Sequence, residues 1–178
     1  FYNTHNHAAM TLLRGYADDM PLKNWLEDYI WPRENELTAD DIELGSRMAV
    51  EEMVSTGTVF FNDMYFDIDR TVRVAGEAGT RAAIGVTFMD AHAKALMGEK
   101  DQLIRDWKNL YDGKVQLVIA PHAIYTAGPD VLRHCRQLAS ETGLRLTIHL
   151  SETQAEVNDC IRDHGTTPVR YLDSLGFL

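Results

Sequence analysis

The 178-residue chain carries 27 acidic against 17 basic residues, a formal net charge of -10, with 45% hydrophobic and 25% charged residues. That length suits one ordinary domain with a full core, and the composition excludes the disordered and fibrous classes. The negative field repels polyanions, which argues against nucleic acid or an anionic membrane surface as partner and favours a small neutral or cationic ligand. No apolar run approaches the roughly 20 residues of a membrane helix.

In chain order, Phe1 to His7 reads as a strand ending in His5-Asn6-His7. Side chains of extended backbone repeat every two residues, so both imidazoles leave the strand end on one side, and His-x-His is metal-ligand spacing. Pro21 opens a helix with Leu22, Trp25, Leu26, Tyr29 and Ile30 on one face, and Pro32 is expected to stop or kink it. Thr38 caps a helix that begins with the acidic Asp40-Asp41 and stops at Gly57. A buried strand at Thr58 to Phe61 follows, ending in Asn62-Asp63-Met64-Tyr65.

From there helices and strands alternate. The pattern predicts a helix from Ile68 to Ala78, a strand from Arg81 to Thr87, a helix from Lys100 to Tyr111 and a strand from Val115 to Ala120. It continues with a helix from Asp130 to Thr142, a strand from Leu144 to Leu150, and helices over Thr153 to Asp163 and Pro168 to Leu175. Cys135 and Cys160 fall in helical segments without Cys-x-x-Cys spacing, which fits a reducing, cytoplasmic compartment.

Five near-continuous apolar strands, each followed by helix, indicate an α/β fold with a parallel sheet. No Gly-rich phosphate turn follows a strand, as a doubly wound sheet would usually show. Polar residues instead gather where strands end, at His5, His7, Asp63, His122 and His149, which is the habit of a (β/α)8 barrel. The expectation is therefore a partial TIM barrel of about five βα units, residues 1–178 forming one partial catalytic barrel domain. Both ends of the sequence read as the interior of a longer fold.

Four segments carry a family resemblance. They are Asn3 to Gly15 around His5-Asn6-His7, Asn62-Asp63-Met64-Tyr65-Phe66, Ala120-Pro121-His122-Ala123-Ile124-Tyr125-Thr126, and Ile148-His149-Leu150-Ser151-Glu152-Thr153. In these the chain resembles the amidohydrolase superfamily, chlorohydrolase/deaminase group, and within it the 5'-methylthioadenosine/S-adenosylhomocysteine deaminases. The resemblance implies a hydrolase that removes ammonia from a purine nucleoside. It assigns one divalent metal ion, zinc or iron, to His5, His7 and His149, and proton transfer to Glu152. It also places Trp25, Glu34, His122 and Glu152 against the heterocyclic substrate, with Glu34 suited to ribose hydroxyls because a carboxylate accepts two hydrogen bonds.

The same resemblance implies a further histidine after a sixth strand and an aspartate after an eighth, beyond this sequence, so the 178 residues alone are expected to be inactive and to self-associate. Family arginines after strand three have no counterpart in Gly85 to Asp90, which keeps guanine and other heterocycle deaminases and chlorohydrolases open as alternatives. Structural readings stand beside the functional ones. Trp25 and Tyr29 have the spacing of a core stripe, His122 could bond nearby backbone, and Glu152 could serve the start of the helix at Thr153. Asp63 is read as structural, and His92, His134 and His164 receive no role.

Overall fold

A computed structural model describes residues 1–91 and 94–178, and His92 lies outside them. The chain groups into two compact units, Phe1–Ile84 with Asn109–Gln116 and Gly85–Lys108 with Leu117–Leu178. Among the described residues, β1 (Tyr2–Asn6), β2 (Phe60–Tyr65), β3 (Arg81–Phe88) and β4 (Val115–Pro121) form one sheet in the order β1-β2-β3-β4. Helical segments separate successive strands, as parallel pairing requires.

In the first unit β1 pairs parallel with β2 through Tyr2 with Phe60, Asn3 with Phe61 and Asn6 with Asp63. Between the last two pairs β1 spends one residue more than β2, and that irregularity contains His5. The Asn62 side chain donates to the Thr4 carbonyl at 3.1 Å and steadies the departure from regular pairing. Strand two thus lies later than its apolar run suggested, because this pairing with β1 extends it through the polar Asn62 and Asp63.

The helix after Pro21 also differs from expectation. It runs as α1 (Leu22–Asn24), a π-helical stretch (Trp25–Ile30) and α2 (Trp31–Glu34), passing through Pro32 without stopping. Pro32 has no N–H and its ring crowds the preceding turn; a widened turn, in which the Trp31 N–H reaches back to Leu26, absorbs both. Tyr29 is exposed, so the apolar face narrows to Ile30 with Leu22, Trp25 and Leu26 half-buried.

Helix α3 (Ala39–Ser55) starts in a reciprocal cap between Thr38 and Asp41. It lies against the 3-10 turn Ala8–Leu13 that follows His7, and a Cβ on Gly45 would fall 2.4 Å from the Ala9 carbonyl oxygen. Only glycine permits that approach. Helix α4 (Ile68–Glu77) joins α3 through a buried Ser46–Thr71 hydroxyl pair at 2.9 Å.

The second unit holds α5 (Lys94–Asp106), α6 (Pro129–Thr142), α7 (Gln154–His164) and α8 (Pro168–Ser174). Its core includes the fully buried Phe88, Ile119, Leu132, Leu138 and Leu172, each contributing roughly 1.5–3 kcal/mol by burial. Helix α5 ends before Tyr111, five residues short of the expected stop. Asn109, Tyr111, Asp112 and Gly113 have positive φ, and the Tyr111 ring packs within the first unit on Gly76, where a Cβ would stand 2.2 Å from it. Among the described residues, the fifth apolar run, Leu144 to Leu150, meets β4 and its continuation at two isolated parallel bridges, Ile119 with Leu146 and Ala123 with His149. Its position beside β4 agrees with the sequence; its ladder is too sparse for a strand.

Gly45→Ala is expected to cost about 1–3 kcal/mol through overpacking against Ala9. Gly98→Ala in α5, where a Cβ meets open space, should instead gain about 0.5–1 kcal/mol of helix propensity. Urea denaturation of the two variants checks the opposed signs.

Candidate functional site

His5 and His7 follow from the end of β1, His5 within the irregular pairing and His7 as the residue opening the 3-10 turn. Their rings stand edge to face with centroids 4.8 Å apart. His7 Nδ1 lies 2.5 Å from the Met64 carbonyl oxygen. A carbonyl only accepts, so Nδ1 carries the proton and Nε2 keeps the lone pair, the tautomer of a metal-ligating histidine.

Directly after His7, the Ala8 N–H donates to Asp63 Oδ1 at 2.6 Å. Asp63 is fully buried, and its Oδ2 has no hydrogen-bond partner. Burial pushes the carboxyl up to about 7, although the Ala8 and Met64 N–H groups pull in the other direction. Asp63 is therefore a structural clamp on the backbone behind His7, in keeping with the role read from the sequence.

Tyr65 completes this stretch of β2. It is buried, and its hydroxyl donates to Glu34 Oε1 at 2.7 Å, tying α2 to the strand. Desolvation raises the Glu34 carboxyl above its ordinary range, and the phenol bond opposes that rise. Trp25 is half-buried in the π-helical stretch of the same helix.

In the second unit the His122 N–H donates to the Phe88 carbonyl at 3.0 Å, anchoring the residue after β4 to the end of β3. Its Nδ1 is 2.7 Å from the Thr126 hydroxyl, which also lies 3.3 Å from the Ala123 carbonyl oxygen. The ring is thus held by a side chain. The His122 carbonyl oxygen receives both the N–H and Nδ1 of His149, each at 2.9 Å. His149 therefore has the same tautomer as His7, and the His122 and His149 rings lie 4.9 Å apart.

Glu152 is exposed just before α7, and the service its position suggested at that helix falls to another residue. Thr153 is the cap, accepting from the Glu156 N–H, and the buried Glu156 carboxylate accepts from the Ser151 and Glu152 N–H groups at 2.9 and 2.8 Å. Tyr125 is exposed, and its phenol is pushed up to about 12 by desolvation first and by Glu152 and Glu156 next. His134 bonds Asp101 at 2.9 Å and His164 stacks on Tyr171.

The structure thus brings His5 to His7 and His122 to His149. It adds Met64, Tyr65, Thr126 and Glu156, which the sequence did not single out. A period-two reading extended through Asn62 to Tyr65 would have put Asp63 and Tyr65 on one face of β2.

The amidohydrolase family model matches residues 1–178. The chain is 44% identical to a 5'-deoxyadenosine deaminase of Methanosphaera stadtmanae, over 99% of this chain and 42% of that protein. It is 42% identical to a 5-methylthioadenosine/S-adenosylhomocysteine deaminase of Syntrophomonas wolfei, over 99% of this chain and 41% of that protein. The chain spans about two-fifths of the length of these relatives. Among solved structures, an adenosine deaminase from Xanthomonas campestris with bound zinc superposes with a TM-score of 0.87 at 34% identity, covering 99% of this chain and 41% of its own. These likenesses agree with the α/β fold expected, part of a (β/α)8 barrel.

The raised Asp63 carboxyl has a measurable consequence. From about pH 4 to about pH 7 the folded chain keeps a proton that the unfolded chain has released, so stability falls as pH rises through that window. Asp63→Asn keeps an acceptor for the Ala8 N–H and cannot ionise. Urea midpoints taken across the window should slope less in this variant than in the wild type.

Proposed function

Because the chain belongs to the amidohydrolase family, we propose that residues 1–178 form part of one catalytic barrel domain of a metal-dependent aminohydrolase. Its substrate is a purine nucleoside of the 5'-deoxyadenosine, 5'-methylthioadenosine or S-adenosylhomocysteine type, from which it releases ammonia. One observation carries the reading: His7 and His149 each turn Nδ1 to a backbone carbonyl oxygen, the orientation in which a metal-ligating histidine is held.

His5, His7 and His149, each offering one ring nitrogen, would hold a single divalent ion, with zinc favoured by the likeness to the Xanthomonas campestris enzyme. When bound, such an ion supplies Lewis acidity that lowers the pKa of water. The carboxylate of Glu152 can take and give a proton, and would deliver one to the purine ring nitrogen beside the amino-bearing carbon and one to the departing ammonia. His122, its orientation set by Thr126 and the end of β3, would contact the substrate. Trp25 offers an aromatic face to the nucleoside, and the Glu34 carboxylate accepts from its ribose hydroxyls.

The deaminase relatives support this choice of substrate over the guanine deaminase and chlorohydrolase alternatives, and the buried free thiols Cys135 and Cys160 support placing the protein in the cytoplasm. Self-association is a second feature of the proposal, favoured by the exposed Phe1, Tyr2 and Val59 at the edge strand β1 and its neighbour. Size-exclusion chromatography of the 178-residue chain should show species larger than a monomer.

Ammonia release from 5'-deoxyadenosine and 5'-methylthioadenosine by the full-length protein tests the main reading. Glu152→Gln should lower kcat by about 10²–10⁴-fold while zinc content stays at the wild-type level. His7→Ala and His149→Ala should lose the zinc itself. Full turnover in the Glu152 variant would defeat the assignment.

A further inference from the structure

We infer that Tyr65 is a positioning residue for substrate selection, its phenol holding the Glu34 carboxylate in the orientation that reads the vicinal hydroxyls of a ribose. This rests on the role proposed above for Glu34. The contact is a single hydrogen bond, Tyr65 Oη to Glu34 Oε1 at 2.7 Å, between the last residue of β2 and the last residue of α2.

Glu34 has reasons not to sit there ionised. It is partly buried, and a carboxylate at a helix C-terminus meets the negative end of the helix dipole. The Tyr65 hydroxyl counters both by donating to the carboxylate. It stays a donor because desolvation, Glu34 and Asp63 all raise the phenol above its ordinary value. With Oε1 engaged, the carboxylate plane is set, and the acceptor sites of the second oxygen remain for a ligand with two adjacent hydroxyls.

Tyr65 is itself well fixed. Its ring is 5% exposed and packs beside Phe66 at 5.1 Å and His7 at 6.4 Å between centroids. The strand that turns the His7 ring through the Met64 carbonyl thus also aims Glu34, one residue later. Metal ligand and proposed ribose reader take their positions from adjacent residues of one rigid element. The π-helical stretch belongs to the same arrangement, since it carries the helix through Pro32 to Glu34.

The test uses the full-length zinc-loaded protein with adenosine, 2'-deoxyadenosine and 3'-deoxyadenosine as substrates. The wild type should prefer the ribonucleoside, and Glu34→Gln should erase that preference. Tyr65→Phe should raise KM for adenosine about tenfold, the scale of one lost hydrogen bond to a charged group, while kcat and zinc content stay within about threefold. KM for the deoxy analogues should hardly move, so the preference shrinks about tenfold. Tyr65→Met, which removes the hydroxyl and refills the space differently, should repeat the pattern if the phenylalanine variant folds poorly. A general loss of activity on all three substrates, or a preserved preference in a folded variant, overturns the inference while leaving Glu34's role intact. A preserved preference in Glu34→Gln overturns the reading of Glu34 and the inference with it.

Discussion

The parallel pairing of β1 with β2, and the single extra residue that β1 carries before its end, is the constraint on which the first unit turns. An extra residue in one strand re-aims the side chains beyond it, and here those are His5 and His7. Three successive residues of β2 then fix what the irregularity sets loose. Asp63 holds the backbone behind His7, the Met64 carbonyl turns its ring, and Tyr65 reaches across to Glu34. The close seat of α3 on Ala9, possible because residue 45 is glycine, keeps the following turn from drifting.

Charge is managed by withholding it where burial would make it costly. A carboxylate without a cation in a fully buried place is expensive, and Asp63 answers by a raised pKa rather than by pairing. His7 and His149 each turn Nδ1 to a backbone carbonyl oxygen, which orients the rings. At α7 the buried Glu156 satisfies the N–H groups of Ser151 and Glu152, so the Glu152 side chain is not taken up by capping. This division of labour between two nearby acids is what leaves Glu152 available for the proton transfer proposed for it.

The secondary structure departs from local propensity at places with a common cause. Pro32 is a strong stop signal within its own segment, yet the helix continues because one widened turn absorbs the missing N–H. Tyr111 continues a helical pattern, but its ring finds a seat on Gly76 and the chain leaves the helix to put it there. The fifth run has the composition of a strand and makes two isolated bridges among the described residues, since strand pairing depends on the partner's backbone as much as on the run itself.

The sequence by itself determined the alternation of apolar runs and helices, the capped start of α3, and the histidines and carboxylate at strand ends. Those follow from local period, turn chemistry and residue type, each contained within a dozen residues. Only the tertiary structure decided which ring nitrogen His7 and His149 present, that Asp63 is buried with one oxygen unpartnered, and that Tyr65 grips Glu34. These depend on atoms 27 to 57 residues apart in the chain. Hydrogen-bond partners at that separation are set by strand register and helix packing, and no local pattern in the sequence encodes them.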